Sequence, residues 1–558
     1  MTYPDNQNLP DNEPYKIYEF KKNNQEKIPG YLVVSTAKLN VETEEDNSNR
    51  YFSSVANKKF FNINNGEAEH SAQEMIQKIS KTLQSSPDPE IIINIHGYSS
   101  TPSDTETGCK KIYDYVNTHI EQPNKYVFIG YRWPSENPIK TDESGSFGQK
   151  LINALSSLPT LLAINLALGL TISIWSAIAL LFLNILSNSA VHFFAAMLIL
   201  SGIVSSIIFT LIILRISTYF RDTYRASNYG TTDLVELIRQ LDYTAKLPPN
   251  KRIKLSFVSH SMGCFVVTDV IRILSDVFDV KSINKKPNSD IGNVFRLGRL
   301  VLVAPDIPVE SILPGRANFL RSSLRRCEEA YIFCNEGDLA LRFTSTAANY
   351  FSFPSRTRIS GYRLGNITVK HFNNKNDSVG HTPRYGIVNL QKQDYGKGYR
   401  LDNPYKYLEI RSSSSEHRKL EEITEMSEEL VQPADLFTYF DCTDYKDDRM
   451  NQIGIVSSAI QKPAINFGNY IFLTLAFIRK SFNNRDPQGV DTHTGYFEGV
   501  FSQKAIYELA FLGFQGFLRS LSIEGGESEQ ISIFSQKCHE KQIQVILAPQ
   551  IYQEKTQD

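Results

Sequence analysis

Val258-Ser259-His260-Ser261-Met262-Gly263 sets a serine between a β-branched run, Ile253–Val258, and an apolar stretch, Met262–Leu274, with helical spacing. A strand–turn–helix elbow this tight requires small residues two before and two after the serine. Ser259 and Gly263 meet that need. The turn pushes Ser261 Oγ out at the carboxyl end of the strand, where the start of the helix favours developing negative charge. A serine so placed can attack an acyl carbon, provided that a base and an acid accompany it.

Other residues supply candidates for each remaining role. His96-Gly97-Tyr98 follows the continuous β-branched run Glu90–Ile95. A histidine–glycine loop at the end of an earlier strand can give one oxyanion-binding amide, and the residue after the nucleophile gives the other. Those are the amides of Tyr98 and Met262, with His96 supporting the loop. The acid and the base follow the serine in the order Ser, Asp, His. Asp338, in Asn335-Glu336-Gly337-Asp338 after the strand Ala330–Cys334, fits the acid. Asp306, at the end of VLVAPDI, is the alternative acid, and Glu336 is a third choice. Of ten histidines, only His493 and His539 lie beyond the last clear strand, Leu436–Phe440. His539 reads as surface. His493, in DTHTGYF before a C-terminal helix, is the candidate base.

The segments HGY, YRWPS, SHSMG, VLVAPDI, NEGDLAL and DTHTGYF together resemble a bacterial α/β-hydrolase family of uncharacterised function. The resemblance spans roughly residues 30–365 and 432–520. It implies a serine-hydrolase triad of Ser261, Asp338 and His493, lipase- or esterase-like chemistry, and no metal or organic cofactor. The acid loop departs from the family pattern, with N-E-G-D where N-D is usual.

The elements that must position these residues alternate. Strands read at Gly30–Leu39, Glu90–Ile95, Tyr126–Tyr131, Ile253–Val258, Leu300–Val303, Ala330–Cys334 and Leu436–Phe440. Helices read at Ala72–Leu83, Thr105–Ile120, Asp233–Leu241 and Met262–Leu274. Such alternation implies an α/β fold with a mostly parallel sheet and right-handed crossovers. A polar insert, 366–432, reads as a surface excursion. The polar residues 1–29 carry no apolar core of a secretory signal. Six scattered cysteines without a C-x-x-C pair suit free thiols in a reducing compartment.

Composition adds a second theme. The chain has 558 residues, 59 Lys+Arg against 60 Asp+Glu, and a mean hydropathy of −0.28. Near-neutrality argues against a nucleic-acid partner. Yet the 64 residues between Lys150 and Arg215 contain no Asp, Glu, Lys or Arg, in a chain that is 21% charged. Two apolar runs, roughly Leu158–Leu186 and Ala190–Ser217, each exceed the 20 or so residues of a bilayer span. A turn at Ser187-Asn188-Ser189 makes them a transmembrane helical hairpin spanning 150–217, inserted between the first part of the catalytic domain (30–149) and the second (218–365), with the last part at 433–558. Lys140, Lys150, Arg215, Arg221 and Arg225 flank it, and the turn carries no positive charge. The positive-inside rule then puts the catalytic domain and both termini on the cytoplasmic side. Gly169 and nearby serines could pack the helices against each other or between protomers of a homo-oligomer. The apolar run within 462–480 is short for a span and reads as a buried helix or a membrane-interfacial lid.

The function expected is a membrane-anchored serine hydrolase acting on acyl esters, lipids foremost. A tethered non-catalytic scaffold with the same fold is the alternative, as is a hydrolase of soluble esters, thioesters or peptides.

Overall fold

A computed structural model of the chain describes residues 14–21, 27–37, 60–61, 71–120, 123–135, 174, 178, 189–275, 290–313, 323–345, 362–369, 385–392, 399–411, 417–419, 432–447, 454, 467–482, 489–521 and 526–552. The centre is an 11-stranded mixed sheet. Ten of its strands form the path: β1 (Tyr15–Glu19), β2 (Gly30–Ser35), β3 (Glu90–Ile95), β4 (Tyr126–Arg132), β5 (Ile253–His260), β6 (Phe295–Val303), β7 (Glu329–Cys334), β8 (Gly386–Ile387), β9 (Thr438–Asp441) and β10 (Gln544–Ile546). Their order across the sheet is β1-β2-β4-β3-β5-β6-β7-β9-β10-β8, with Asp290–Ile291 paired beside β6. The run from β2 to β9 is parallel throughout. β1 pairs antiparallel with β2 and β10 antiparallel with β9, while β8 pairs parallel with β10.

β3, β5 and β6 are apolar because both faces are covered. One face packs against α1 (Ala72–Ser85), α4 (Thr231–Thr244) and α5 (Met262–Leu274). The other packs against α2 (Pro102–His119), α7 (Val500–Ser520) and α8 (Glu527–Glu540). At the amino-terminal edge, the buried Glu90 pairs with Arg299 and accepts from Ser256 Oγ at 2.7 Å. Arg299 also donates to the carbonyls of Ala510 and Phe511, which ties β3, β5 and β6 to α7.

Register aligns the opposite edge. Ile95 lies beside Ser259, His260 beside Val303, and Cys334 beside Asp441. The loops after β3, β5, β6 and β7 therefore leave the sheet side by side, at the end where parallel sheets hold ligands.

The long helix α3 (Ser189–Arg225, 37 residues) continues through a π turn, Ala226–Gly230, into α4. Many side chains of its apolar part lie outside the described residues. So does the first apolar run, except Ile174 and Ile178, which are helical and exposed. The hairpin turn at Ser187-Asn188 lies outside them too. Among the described residues, no helix is long and apolar enough to cross a membrane.

Two readings of polar segments change. The described parts of 366–432 are not merely a surface excursion: β8 joins the main sheet, and Leu408 and Ile410 are core residues. β1, within the polar amino-terminal segment, is also a sheet strand, because its Tyr15, Ile17 and Tyr18 are buried against β2 and its neighbours. The run within 462–480 forms the helix α6 (Phe467–Phe482), buried along Leu473 and Ala476 and exposed at Ile471, Phe472 and Leu475. One face lies in the core and one apolar face points outward.

Candidate active site

Ser261 has φ 53° and ψ −124°, outside the regions comfortable for a residue with a Cβ. The elbow is held by its backbone: Ser261 N–H donates to Val303 O, and its carbonyl accepts from Cys264 and Asp306. The small neighbours are required by contact. A Cβ on Gly263 would lie 2.4 Å from His96 O, and one on Gly97 would lie 2.9 Å from Ser261 Cβ. Ser259 is buried, with its hydroxyl 3.3 Å from Cys264 Sγ. Ser261 Oγ is itself buried and makes no hydrogen bond. A buried hydroxyl without a partner costs about 1–3 kcal/mol.

His493 and Asp338 are brought together as the sequence suggests, with Nδ1 of the imidazole 2.7 Å from the carboxylate Oδ2. Asp338 is fully buried, and its Oδ1 accepts from the Leu341 amide. Burial pulls the His493 pKa down, but the Asp338 charge and hydrogen bond outweigh it, and the net shift is upward from 6.5. Burial raises the Asp338 carboxyl against the opposing pull of His493. With Nδ1–H donated to Asp338, the lone pair of the imidazole is on Nε2.

His260, next to Ser261 in the chain, is the residue that contacts His493. His260 Nε2–H donates to His493 O at 3.0 Å, and the two rings lie 4.6 Å apart. Burial, and then the neighbouring His493, press the His260 pKa down to about 3, so this ring is neutral. No hydrogen bond joins Ser261 Oγ to His493.

Asp306, the alternative acid, has other partners. Its carboxylate takes Arg363 at 3.0 Å, Ser345 Oγ at 2.8 Å and Tyr219 OH at 3.3 Å. It braces the elbow instead, through its amide on Ser261 O. Glu336, the third choice, is fixed at its amide by Thr443 while the neighbouring Asp338 takes the histidine.

The oxyanion candidates sit where expected in the chain. Met262 opens α5, where an amide has no carbonyl behind it in the helix. Tyr98 lies in the loop after β3. His96 supports that loop: its ring nitrogens face Gly97 O at 2.7 Å and Trp133 O at 3.2 Å, and burial pushes its pKa down to about 4. Trp133 stacks on it and donates Nε1–H to His96 O.

Three positioning residues escape the sequence reading. Asp491 accepts the amides of His493 and Thr494 on one oxygen, and its other oxygen takes the Thr494 hydroxyl. Burial would raise its carboxyl, but these bonds hold it below the usual range. An aspartate two residues before the base, in a D-T-H-T string, is the signal for this turn. Asn366 donates to the carbonyls of Asn335 and Asp338. Asp222, near the end of α3, accepts from Ser99 N–H at 3.0 Å and Ser135 Oγ at 2.7 Å. Burial raises its carboxyl to about 6 against the pull of Ser99, Arg221, Ser135 and Arg225. No local pattern announces either of the last two.

The described residues contain no group of three or more His, Cys, Asp or Glu able to hold a metal. No curated protein and no solved structure matches the chain. Residues 201–409 match the model of a family described as an alpha/beta hydrolase of unknown function (DUF900). That match covers α3 from residue 201, the elbow, Asp306 and the Asp338 loop, and stops short of both His96 and His493. The matched segment and the mostly parallel sheet around it give this chain the α/β-hydrolase fold.

Proposed function

We propose that this protein is a membrane-anchored serine hydrolase that cleaves acyl ester bonds, those of lipids foremost, through Ser261, His493 and Asp338. The observation that carries this reading is the Ser261 hydroxyl. It is strained, buried and unbonded at a strand–helix elbow, and the adjacent His260 binds the carbonyl of His493, whose ring is already oriented by a carboxylate. Stability alone gives no reason to retain such a group.

In this reading His493 Nε2 takes the proton of Ser261 as its Oγ attacks the ester carbonyl. The bond from acyl carbon to leaving oxygen breaks as that oxygen receives the proton from His493. Asp338 keeps the imidazole in the tautomer that leaves Nε2 basic and stabilises its charged form. The amides of Tyr98 and Met262 hold the oxyanion. Water, activated by the same histidine, releases the acid and restores Ser261.

Lipid proximity rests on the sequence of the uncharged stretch and on two exposed apolar features. Ile174, Ile178 and Leu200 of the two runs face outward, and α6 presents Ile471, Phe472 and Leu475. α6 also touches the base loop, since Val490 N–H reaches Ala476 O and Lys480 pairs with Glu498. The anchor would hold the catalytic domain on the cytoplasmic side.

The missing Ser261–His493 hydrogen bond favours the other reading, a tethered scaffold that retains the fold. A serine hydroxyl needs only a χ1 rotation to change partner, and catalytic hydrogen bonds often tighten only with substrate bound. Labelling decides between the two. A fluorophosphonate probe is expected to label the wild-type protein in membranes and not Ser261→Ala, with fatty acid released from mixed lipids only by the former. A wild type that neither labels nor releases fatty acid is a scaffold.

A further inference from the structure

We infer that Asp222 is a positioning residue through which the inner end of α3 sets the oxyanion loop, so that the anchoring helix and the reaction centre are one mechanical unit. The inference deepens the serine-hydrolase reading and rests on it.

Tyr219 and Asp222 are three residues apart and share one face of α3. Each grips a different half of the candidate oxyanion site. Asp222 Oδ2 holds the Ser99 amide at 3.0 Å and Ser135 Oγ at 2.7 Å, and Ser135 Oγ in turn accepts the Ser100 amide at 3.2 Å. The loop thus clamped is the one that carries Tyr98, and Ser99 within it has φ 56°, a conformation that needs outside support. Tyr219 meets the Tyr98 ring edge-on at 5.9 Å and donates to Asp306, whose amide binds Ser261 O. Both halves are therefore fixed from one helix face, and Asp222 is fully buried while doing so.

Asp222 touches no reacting atom in this arrangement. Its removal loosens the Tyr98 amide, which matters once charge develops on the substrate oxygen and hardly before. The test uses the full-length protein in phosphatidylcholine–phosphatidylglycerol vesicles and a p-nitrophenyl acyl ester. Binding of a trifluoromethyl ketone, which forms a tetrahedral adduct with a serine, is compared with binding of its alcohol analogue, which cannot. Asp222→Ala is expected to lower kcat about 10- to 100-fold with KM within about twofold, a part of the loss seen when an oxyanion donor is removed outright. Ketone affinity should fall by a similar factor and alcohol affinity should hold. Ser135→Ala, which removes one of the two bonds, should fall between wild type and Asp222→Ala.

Wild-type kcat and ketone affinity in folded Asp222→Ala would overturn the inference. So would a parallel loss of ketone and alcohol binding, the mark of a general structural role. If Asp222→Ala does not fold, Ser135→Ala decides, and an unchanged ketone-to-alcohol ratio there overturns it. Failure of the wild type to label at Ser261 is a separate outcome. It ends the hydrolase reading, and this inference with it.

Discussion

Asp338 and Asp306 leave neighbouring strands of the same sheet, and their surroundings separate their roles. Asp338 faces an imidazole and a helix-starting amide, whereas Asp306 faces a guanidinium and two hydroxyls. Asp338→Asn should therefore cost on the order of 10³–10⁴ in kcat, because the amide no longer selects the Nδ1–H tautomer. Asp306→Ala should instead appear in a urea unfolding curve, as a loss of about 3–5 kcal/mol from leaving Arg363 buried without its partner. The acid limb of kcat/KM follows the same logic. In the proposed mechanism His493 works as a neutral base, and its pKa is held above 6.5, so activity should fall as pH drops through a midpoint higher than 6.5. Removing the Asp338 charge leaves burial as the main influence, so in Asp338→Asn that midpoint should move to lower pH. His260, already neutral down to about pH 3, should add no second proton to the limb. A pH–rate profile measured to pH 5 checks both statements.

At the scale of elements, the elbow depends on the close approach of the loop after β3 to the first turn of α5. Gly263→Ala forces a Cβ against His96 O and should destabilise by about 1–3 kcal/mol in the same unfolding assay. α6 carries a different prediction: Ile471→Ser with Leu475→Ser should weaken hydrolysis of vesicle lipids while leaving a soluble short-chain ester turned over as before. Where elements were legible from sequence, a physical reason is evident. Continuous β-branched runs bounded by turn residues marked Glu90–Ile95 and the core of β5, and apolar periodicity ending at Ser275 marked Met262–Leu274. β1 was not legible, because YKIYE mixes aromatic and charged residues and becomes a strand only by pairing with β2. β8 has two residues, too few for any period to show. The Ser261, Asp338 and His493 set was readable because chain order and strand ends constrain it. Asp222 was not: an aspartate in Arg221-Asp222-Thr223 after an apolar run looks like a solvated helix end. Its partner Ser99 lies 123 residues away and becomes a neighbour only in the folded sheet.

The molecule as a whole offers two bulk measurements. All six cysteines are buried thiols outside any disulfide, and burial pushes those of Cys109 and Cys264 up to about 12. A thiol reagent should therefore find almost no fast-reacting group in the native protein and six equivalents in denaturant. If the uncharged stretch spans a bilayer, alkaline carbonate should leave the chain in the membrane pellet. The length of α3 then acquires a further meaning. Its 37 residues extend about 55 Å, against a hydrocarbon core of about 30 Å. The apolar run closes at Ser217, and Asp222 follows five residues later, about 7 Å along the axis. The polar zone of one leaflet is of similar depth, about 5–8 Å. In that case the helix would work as a ruler, setting the loop of Tyr98 at the height of phospholipid headgroups. A lipid whose ester bonds lie just beneath that level would need to rise by little more than a headgroup's depth to meet Ser261, and would leave its acyl tails largely in the bilayer.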